Sequence, residues 1–339
     1  MEDLSQPAWS DQVHEADWIA ERLGPFGRSV TSVVPGGFEA YGRMLHPAEA
    51  PHLGHGQLVR WREVAAWSGV ELRPNSPFHS VAMPSQPPET AAPWKGQGPS
   101  TGSLYPADAQ VLSAVLREWT STPEDCWFCL WAGYGWETGG AMLAARGEPA
   151  EVLPSPIPDG VLGGPHVHLP GREYLLYHGP VEAVTATMAL SMSEQTPKIW
   201  WPADQAGCVA SEIDLAWSYI GGTRALVESL LADERLEVLP AKPGDRLSGV
   251  EDWLVRMVAA AVDELWLNGE TTITTSRGTV QGWLKKPGRG RRGWLRTRSV
   301  GDNGVSGGSD LPLRRSTEQQ LRDEVESHLV WDVIDLVGG

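Results

Sequence analysis

Cysteine is scarce in this chain. Cys126, Cys129 and Cys208 are the only three among 339 residues, an odd number that excludes a fully paired disulfide framework and points to reduced thiols in a cytosolic protein. No run of about 18 apolar residues occurs, which excludes a membrane helix legible from hydropathy. The opening MEDLSQPAW lacks the basic-then-apolar pattern of a secretory signal. Walker loops and H-E-x-x-H pairs are also missing, which removes two well-marked routes to phosphate and zinc chemistry. Lysine and phenylalanine are few: five Lys stand against 22 Arg, and four Phe against 17 Trp. This is the pattern of codon bias in a GC-rich genome, so the Trp count does not by itself mark a function.

Positive charge is short as well. The net charge is −16 and the pI is near 5.0, a mean field that repels nucleic acid and anionic membranes. The deficit is uneven. Residues 1–270 carry 35 acidic and 16 basic residues, a balance of −19, whereas 271–339 carry 8 acidic and 11 basic, a balance of +3.

What is present reads as α+β: a mixed or antiparallel sheet with flanking helices over 1–247, then a smaller α+β domain over 248–339. The length allows one large or two unequal domains. Ser10 opens an amphipathic stretch ending at Gly24. RSVTSVV and FEAYGRML read as strands joined by Pro35-Gly36-Gly37, a hairpin signal. LVRWREVAAWSG runs from strand to helix and stops at Gly69. Residues 73–105 form a Pro/Gly-rich loop. Pro106 stands at the first position of a helix, DCWFCLWAGYGW reads as a buried strand, HVHLPGREYLLYHG turns about Pro170-Gly171, and Pro180 starts a helix through Met192. Ser248 and Glu251 form a capping box for a helix stopped by Gly269. Strands then flank Pro287-Gly288, and a last helix covers about 318–333.

The densest stretch is WWPADQAGCVASEIDLAWSYIGGTRALVESLL. Strand periodicity over CVASEIDL places Glu212 and Asp214 on one face, about 7 Å apart. Two carboxylates so placed suit general acid/base work or a hard divalent cation, with Asp204 as a third oxygen donor. Gly221-Gly222 lead into a helix whose first turn carries Thr223 and Arg224, and free N–H groups there form an anion site. His166 and His168 share a strand face, with Glu173 or His178 returning across the hairpin, as a transition-metal set would. Cys126 and Cys129 spell C-x-x-C, but residues three apart on a strand point to opposite faces.

Between Arg277 and Arg298 there are eight basic residues and no acidic one. Lys285, Lys286, Arg289, Arg291, Arg292, Arg296 and Arg298 belong to this run, with Trp283 and Trp294 placed about its turn. Basic, aromatic hairpins stack single-stranded bases or follow a groove. The acidic body favours a protein or intramolecular partner over nucleic acid.

At WWPADQAGCVASEIDLAWSYIGGTRALV and RRGWLRTRSVGDNGVSGG the chain resembles a group of Trp-rich bacterial proteins of uncharacterised function. The resemblance implies that both segments belong to one architecture, and it brings no activity, cofactor or catalytic residue with it. The expected role is a cytoplasmic binding or interaction protein with a small-ligand pocket at Glu212, Asp214, Gly221, Gly222, Thr223 and Arg224. A divalent metal is the cofactor such a pocket would take. The alternatives are a metal-dependent hydrolase or transferase using Glu212 and Asp214, and a nucleic-acid-associated regulator acting through 277–298. A protein or small-molecule partner is expected, and no membrane.

Overall fold

The computed structural model describes residues 6–83, 94–133, 157–187, 195–247, 252–275, 278–287, 293–301 and 306–313, with positions 321, 322, 325 and 329. The chain forms two compact units, one of residues 1–24 and 30–245, the other of 25–29 and 246–339.

The first unit is built on a nine-stranded antiparallel sheet. Its strands are β1 (Ala8–Trp9), β2 (Ala40–Leu45), β5 (Cys126–Trp131), β6 (Val167–Leu169), β7 (Arg172–Gly179), β8 (Ile199–Pro202), β9 (Gly207–Ser211), β10 (Trp217–Gly222) and β11 (Val238–Ala241). They run in the order β1-β7-β5-β8-β9-β10-β2-β11, with β6 paired to β7. Two short strands, β3 (Ala48–Glu49) and β4 (Leu58–Val59), pair apart from it. The helices are α1 (Asp17–Arg22), α2 (Trp61–Ser68), α3 (Phe78–Ala82), α4 (Pro106–Glu118), α5 (Asp159–Leu162) and α6 (Arg224–Ala232).

Both faces of the sheet are covered, which explains its apolar strands. On one face Phe128, Trp200, Val209, Ile220 and Met44 meet Leu112 and Leu116 of α4 and Leu226 and Leu230 of α6. On the other, Trp18 of α1 packs edge-on against Trp201 at 6.0 Å. Farther along, the buried Arg43 guanidinium lies 4.0 Å from the Trp217 ring and donates to the carbonyls of Pro74 and Ser76. Burial pushes the Arg43 pKa down to about 10.

Local signals account for several elements. Pro106 opens α4 where its missing N–H costs nothing. Gly69, at φ 69°, closes α2, and Gly171, at φ 73°, turns β6 into β7. Elsewhere non-local pairing prevails. The hairpin about Pro35-Gly36-Gly37 does not form: Val30–Ser32 is a 3-10 turn, and β2 takes β10 and β11 as neighbours. Behind Pro180 the chain makes a 3-10 turn over Val181–Val184, and residues 188–194 lie outside the described residues. The Pro/Gly-rich stretch holds α3. Gly102, at φ 73°, donates its N–H to the Leu215 carbonyl.

The second unit carries α7 (Asp252–Asn268), ended by Gly269 at φ 81°, and a meander of β12 (Glu270–Thr275), β13 (Gly278–Lys285), β14 (Gly293–Gly301) and β15 (Ser306–Leu313). Val258, Val262, Leu265 and Trp266 of α7, with Leu321, Val325 and Leu329 of a further helical segment, pack against Ile273, Val280, Leu295 and Leu313. The helices therefore cover one face of the meander. The capping pair Ser248 and Glu251 lies outside the described residues. Among the described residues no helix is long and apolar enough to cross a membrane.

Candidate functional site

β9 ends at Ser211 with all five of its residues buried, so Glu212 and Asp214 belong to the turn into β10 and do not alternate on a strand. They converge on a cation supplied by the chain. Arg172, at the start of β7, donates from Nη2 to Glu212 Oε1 at 2.6 Å and from Nε to the same oxygen at 3.1 Å. Arg172 Nη2 also lies 3.5 Å from Asp214 Oδ2. Glu212 is 7 % exposed and accepts the Ile213 N–H as well. A guanidinium thus occupies the position in which a hard cation was expected. Asp204 is elsewhere, accepting from Thr120 Oγ1, Ser121 N and Oγ, and Ala206 N. These donors hold its carboxyl below the ordinary aspartate range against the opposing effect of burial.

Gly221 and Gly222 are the last residues of β10, pairing with Cys208 and Gly207. The Glu212 turn lies at the other end of the same strand, about 17 Å away at the rise of an extended chain. Thr223 caps α6 by accepting the Leu226 N–H at 3.2 Å. Glu39 Oε2 accepts the Arg224 N–H at 3.0 Å. An internal carboxylate therefore fills the helix start, as the helix dipole favours. The structure does not bring Thr223 and Arg224 together with Glu212 and Asp214.

His166 and His168 both face Glu173, with Nδ1 at 3.9 Å and 3.2 Å from its carboxylate oxygens. His178 lies five residues beyond Glu173 on β7, about 17 Å along the strand, and pairs with Asp125 at 2.5 Å. Among the described residues no group of three His, Cys, Asp or Glu is placed to hold a metal ion. The three thiols are free and buried. Burial pushes the Cys126 thiol up to about 12 and raises Cys129 and Cys208 as well. This opposes the thiolate that metal binding or redox exchange requires.

Sequence reasoning missed a buried polar chain. His46, Ser211 and Ser218 are each under 5 % exposed. His46 Nδ1 lies 2.9 Å from the Ser100 carbonyl, which only accepts, so Nδ1 carries the proton. Nε2 then accepts from Ser218 Oγ at 2.9 Å, and Ser218 Oγ accepts from Ser211 Oγ at 2.6 Å. Burial pushes the His46 pKa down to about 4, which keeps the ring neutral. Beside it the buried Lys198 donates to the Gly102 carbonyl and, at 3.0 Å, to Ser103 Oγ. Burial lowers its pKa to about 7, opposed by the Glu212 charge. His46 and Ser218 are 172 residues apart in the chain, so no spacing could have paired them.

A cleft of about 180 Å³ bordered by Arg62, Leu72, Leu231, Leu236, Val238 and Leu239 is smaller than the roughly 300–1,000 Å³ of small-molecule sites. It is lined by none of the residues above.

The basic segment forms β13 and β14. Val280 and Gly282 on β13, and Gly293, Leu295 and Thr297 on β14, are buried. The opposite face presents Gln281, Trp283 and Lys285 from β13, and Trp294, Arg296 and Arg298 from β14, all half-buried or exposed. Lys285 pairs with Trp294, Trp283 with Arg296, and Gln281 with Arg298. The Arg296 guanidinium lies 5.3 Å from the Trp294 ring. Lys286 is engaged differently, donating to the Trp266 carbonyl at 3.0 Å in the last turn of α7. Arg289, Arg291 and Arg292 lie outside the described residues. Two motif spellings occur in this part of the chain: Gly288-x-Gly290-x-x-Gly293 lies between β13 and the first residue of β14, and Gly304-x-Ser306-x-Gly308 runs into β15. Both motifs require a strand-to-helix turn, and here the described residues of each are strand, Gly293 in β14 and Ser306 to Gly308 in β15. Comparison of the chain with protein-family models, with curated proteins and with solved structures returns no match.

Proposed function

We propose that this chain is a cytoplasmic binding protein whose recognition surface is the open face of the β12–β15 meander. The observation that carries the reading is the set Trp283, Trp294, Lys285, Arg296 and Arg298, held on one solvent-facing side of a sheet whose other side is packed by helices. Tryptophan and arginine are the side chains that most often dominate binding energy. Three reduced, buried thiols fit a reducing compartment.

The hydrolase alternative has less behind it, because Glu212 and Asp214 already face Arg172. The reading is tested by immobilising the full chain and its Trp283→Ala/Arg298→Glu variant in extract of the cells that make it. Molecules held by the wild type and lost from the variant are expected. Identical sets held by both would refute it. A parallel thermal-shift screen with Mg²⁺ and Mn²⁺ is expected to be flat. A rise abolished by Glu212→Gln would favour the metal-dependent enzyme, since ligand at 100 times Kd adds about 2.7 kcal/mol.

A further inference from the structure

We infer that the occupant of this open face is single-stranded nucleic acid, bound through base stacking on Trp283 and Trp294 and phosphate contacts to Lys285, Arg296 and Arg298. The inference rests on the binding reading above and adds the class of ligand.

Register supplies the geometry. Trp283 lies opposite Arg296, and Trp294 lies opposite Lys285, so the two tryptophans are diagonal neighbours on adjacent strands, their backbones roughly 7–8 Å apart. Both strands are central in the four-stranded order. A sheet with aromatic side chains on neighbouring central strands is a platform on which two bases of one strand stack. Every base has a ring face, so such a platform needs no particular sequence.

Charge follows the same track. The two central strands bring three cations and no carboxylate to this face, while Glu270 and Asp310, the acidic residues in the same rows, fall on the edge strands β12 and β15. A phosphate backbone running along β13 and β14 therefore meets Lys285, Arg296 and Arg298, with Glu270 opposite Trp283 and Asp310 opposite Arg296 on the flanking strands. Of the other positions on the face, Thr272, Thr274, Thr279 and Gln281 are polar and half-buried or exposed, and Val300, opposite Thr279, is half-buried. A protein partner's dry apolar centre would require aliphatic neighbours around the rings; the positions flanking Trp283 and Trp294 here are Glu270, Gln281, Lys285, Arg296 and Pro312. The acidic remainder of the chain opposes a polyanion at long range, but at 0.1 M salt that field is screened beyond about 10 Å.

The test is fluorescence anisotropy of a labelled 20-nucleotide oligo-dT and oligo-U with the full chain at 50 and 200 mM NaCl. Three neutralised phosphates give a log–log salt slope of about −2 for a single strand, so affinity should fall about 20-fold between the two salts. Trp294→Ala should weaken binding about 5- to 150-fold, the range for one lost stacking partner. Arg298→Ala should reduce the slope by about 0.7, and Arg298→Lys should restore it. Thermal melts matching the wild type's show that each variant is folded. A duplex of the same length should bind less tightly, because a flat platform offers its bases nothing.

No binding at 50 mM salt would overturn the inference, as would binding that Trp294→Ala and Arg298→Ala both leave unchanged. Poly-glutamate competing as well as oligo-U would overturn it in favour of an acidic protein. If these assays fail while the extract experiment still separates wild type from variant, the ligand class is wrong and the recognition surface stands.

Discussion

Lys198 makes the stability of the first unit depend on pH in a direction that can be worked out beforehand. Its amine is buried, donates to the Gly102 carbonyl and Ser103 Oγ, and has a folded pKa of about 7 against 10.5 for the ordinary side chain. Between those two values the unfolded chain binds a proton that the folded chain has released. Stability therefore rises with pH through that window and is lowest below it. One pKa unit is about 1.4 kcal/mol. Integrated from pH 7 to pH 9, with the folded amine half-protonated at the start, this one group adds about 2 kcal/mol. The neutral amine keeps hydrogens to donate, so the two contacts survive deprotonation.

The perturbation is Lys198→Met, read by urea unfolding with tryptophan fluorescence at pH 7 and pH 9. The buried thiols titrate in the unfolded chain over the same range, and subtracting the variant removes their contribution. The stability difference, wild type minus variant, should grow by about 2 kcal/mol between the two pH values. A difference that stays constant within about 0.5 kcal/mol would refute the reasoning, since it would mean that Lys198 keeps its proton in the folded chain.

Three further outcomes follow from the described contacts. Arg172→Met leaves the nearly buried Glu212 facing lost charge and should cost about 3–5 kcal/mol in urea unfolding, whereas a loss under about 1 kcal/mol would show the pair to be solvated. Gly102→Ala places a Cβ 2.7 Å from the Ile213 Cα at a φ of +73°, and should lower stability by at least about 1–3 kcal/mol; an unchanged melting temperature would contradict that close approach. Cys126, Cys129 and Cys208 should resist a thiol reagent in the native chain and react together after unfolding, because burial raises all three thiols, and native-state labelling at the unfolded rate would count against the burial.

The sequence made elements legible where a signal and its consequence are neighbours in the chain. Pro106 before α4, Gly69 after α2 and Gly171 between β6 and β7 each act within a few residues. Long-range pairing hid the rest. Pro35-Gly36-Gly37 has the composition of a hairpin turn, but β2 gains more by lying between β10 and β11 in a sheet buried on both faces. That double burial also blurred the site. Strand periodicity identifies a polar face only when one side meets water, and β9 is buried throughout, so extrapolating its alternation placed Glu212 and Asp214 on a strand that had already ended. On β13 and β14 the basic, aromatic run was legible as composition, and the alternation of buried and exposed residues there separates its open face from the packed one.

Residues 25–29 belong with the C-terminal third of the chain, where Ser29 forms a β-bridge to Arg246. During synthesis those five residues must wait until more than two hundred others have emerged before their partners exist. The first unit can complete its sheet in that interval, since domains fold as units while the chain is made. The second unit closes last, the backbone passing between the units three times, and cutting at one site after Asp245 would yield a C-terminal fragment missing a segment it uses. A shortened polypeptide meant to isolate the meander should carry 25–29 fused ahead of Arg246, making the second unit a continuous chain.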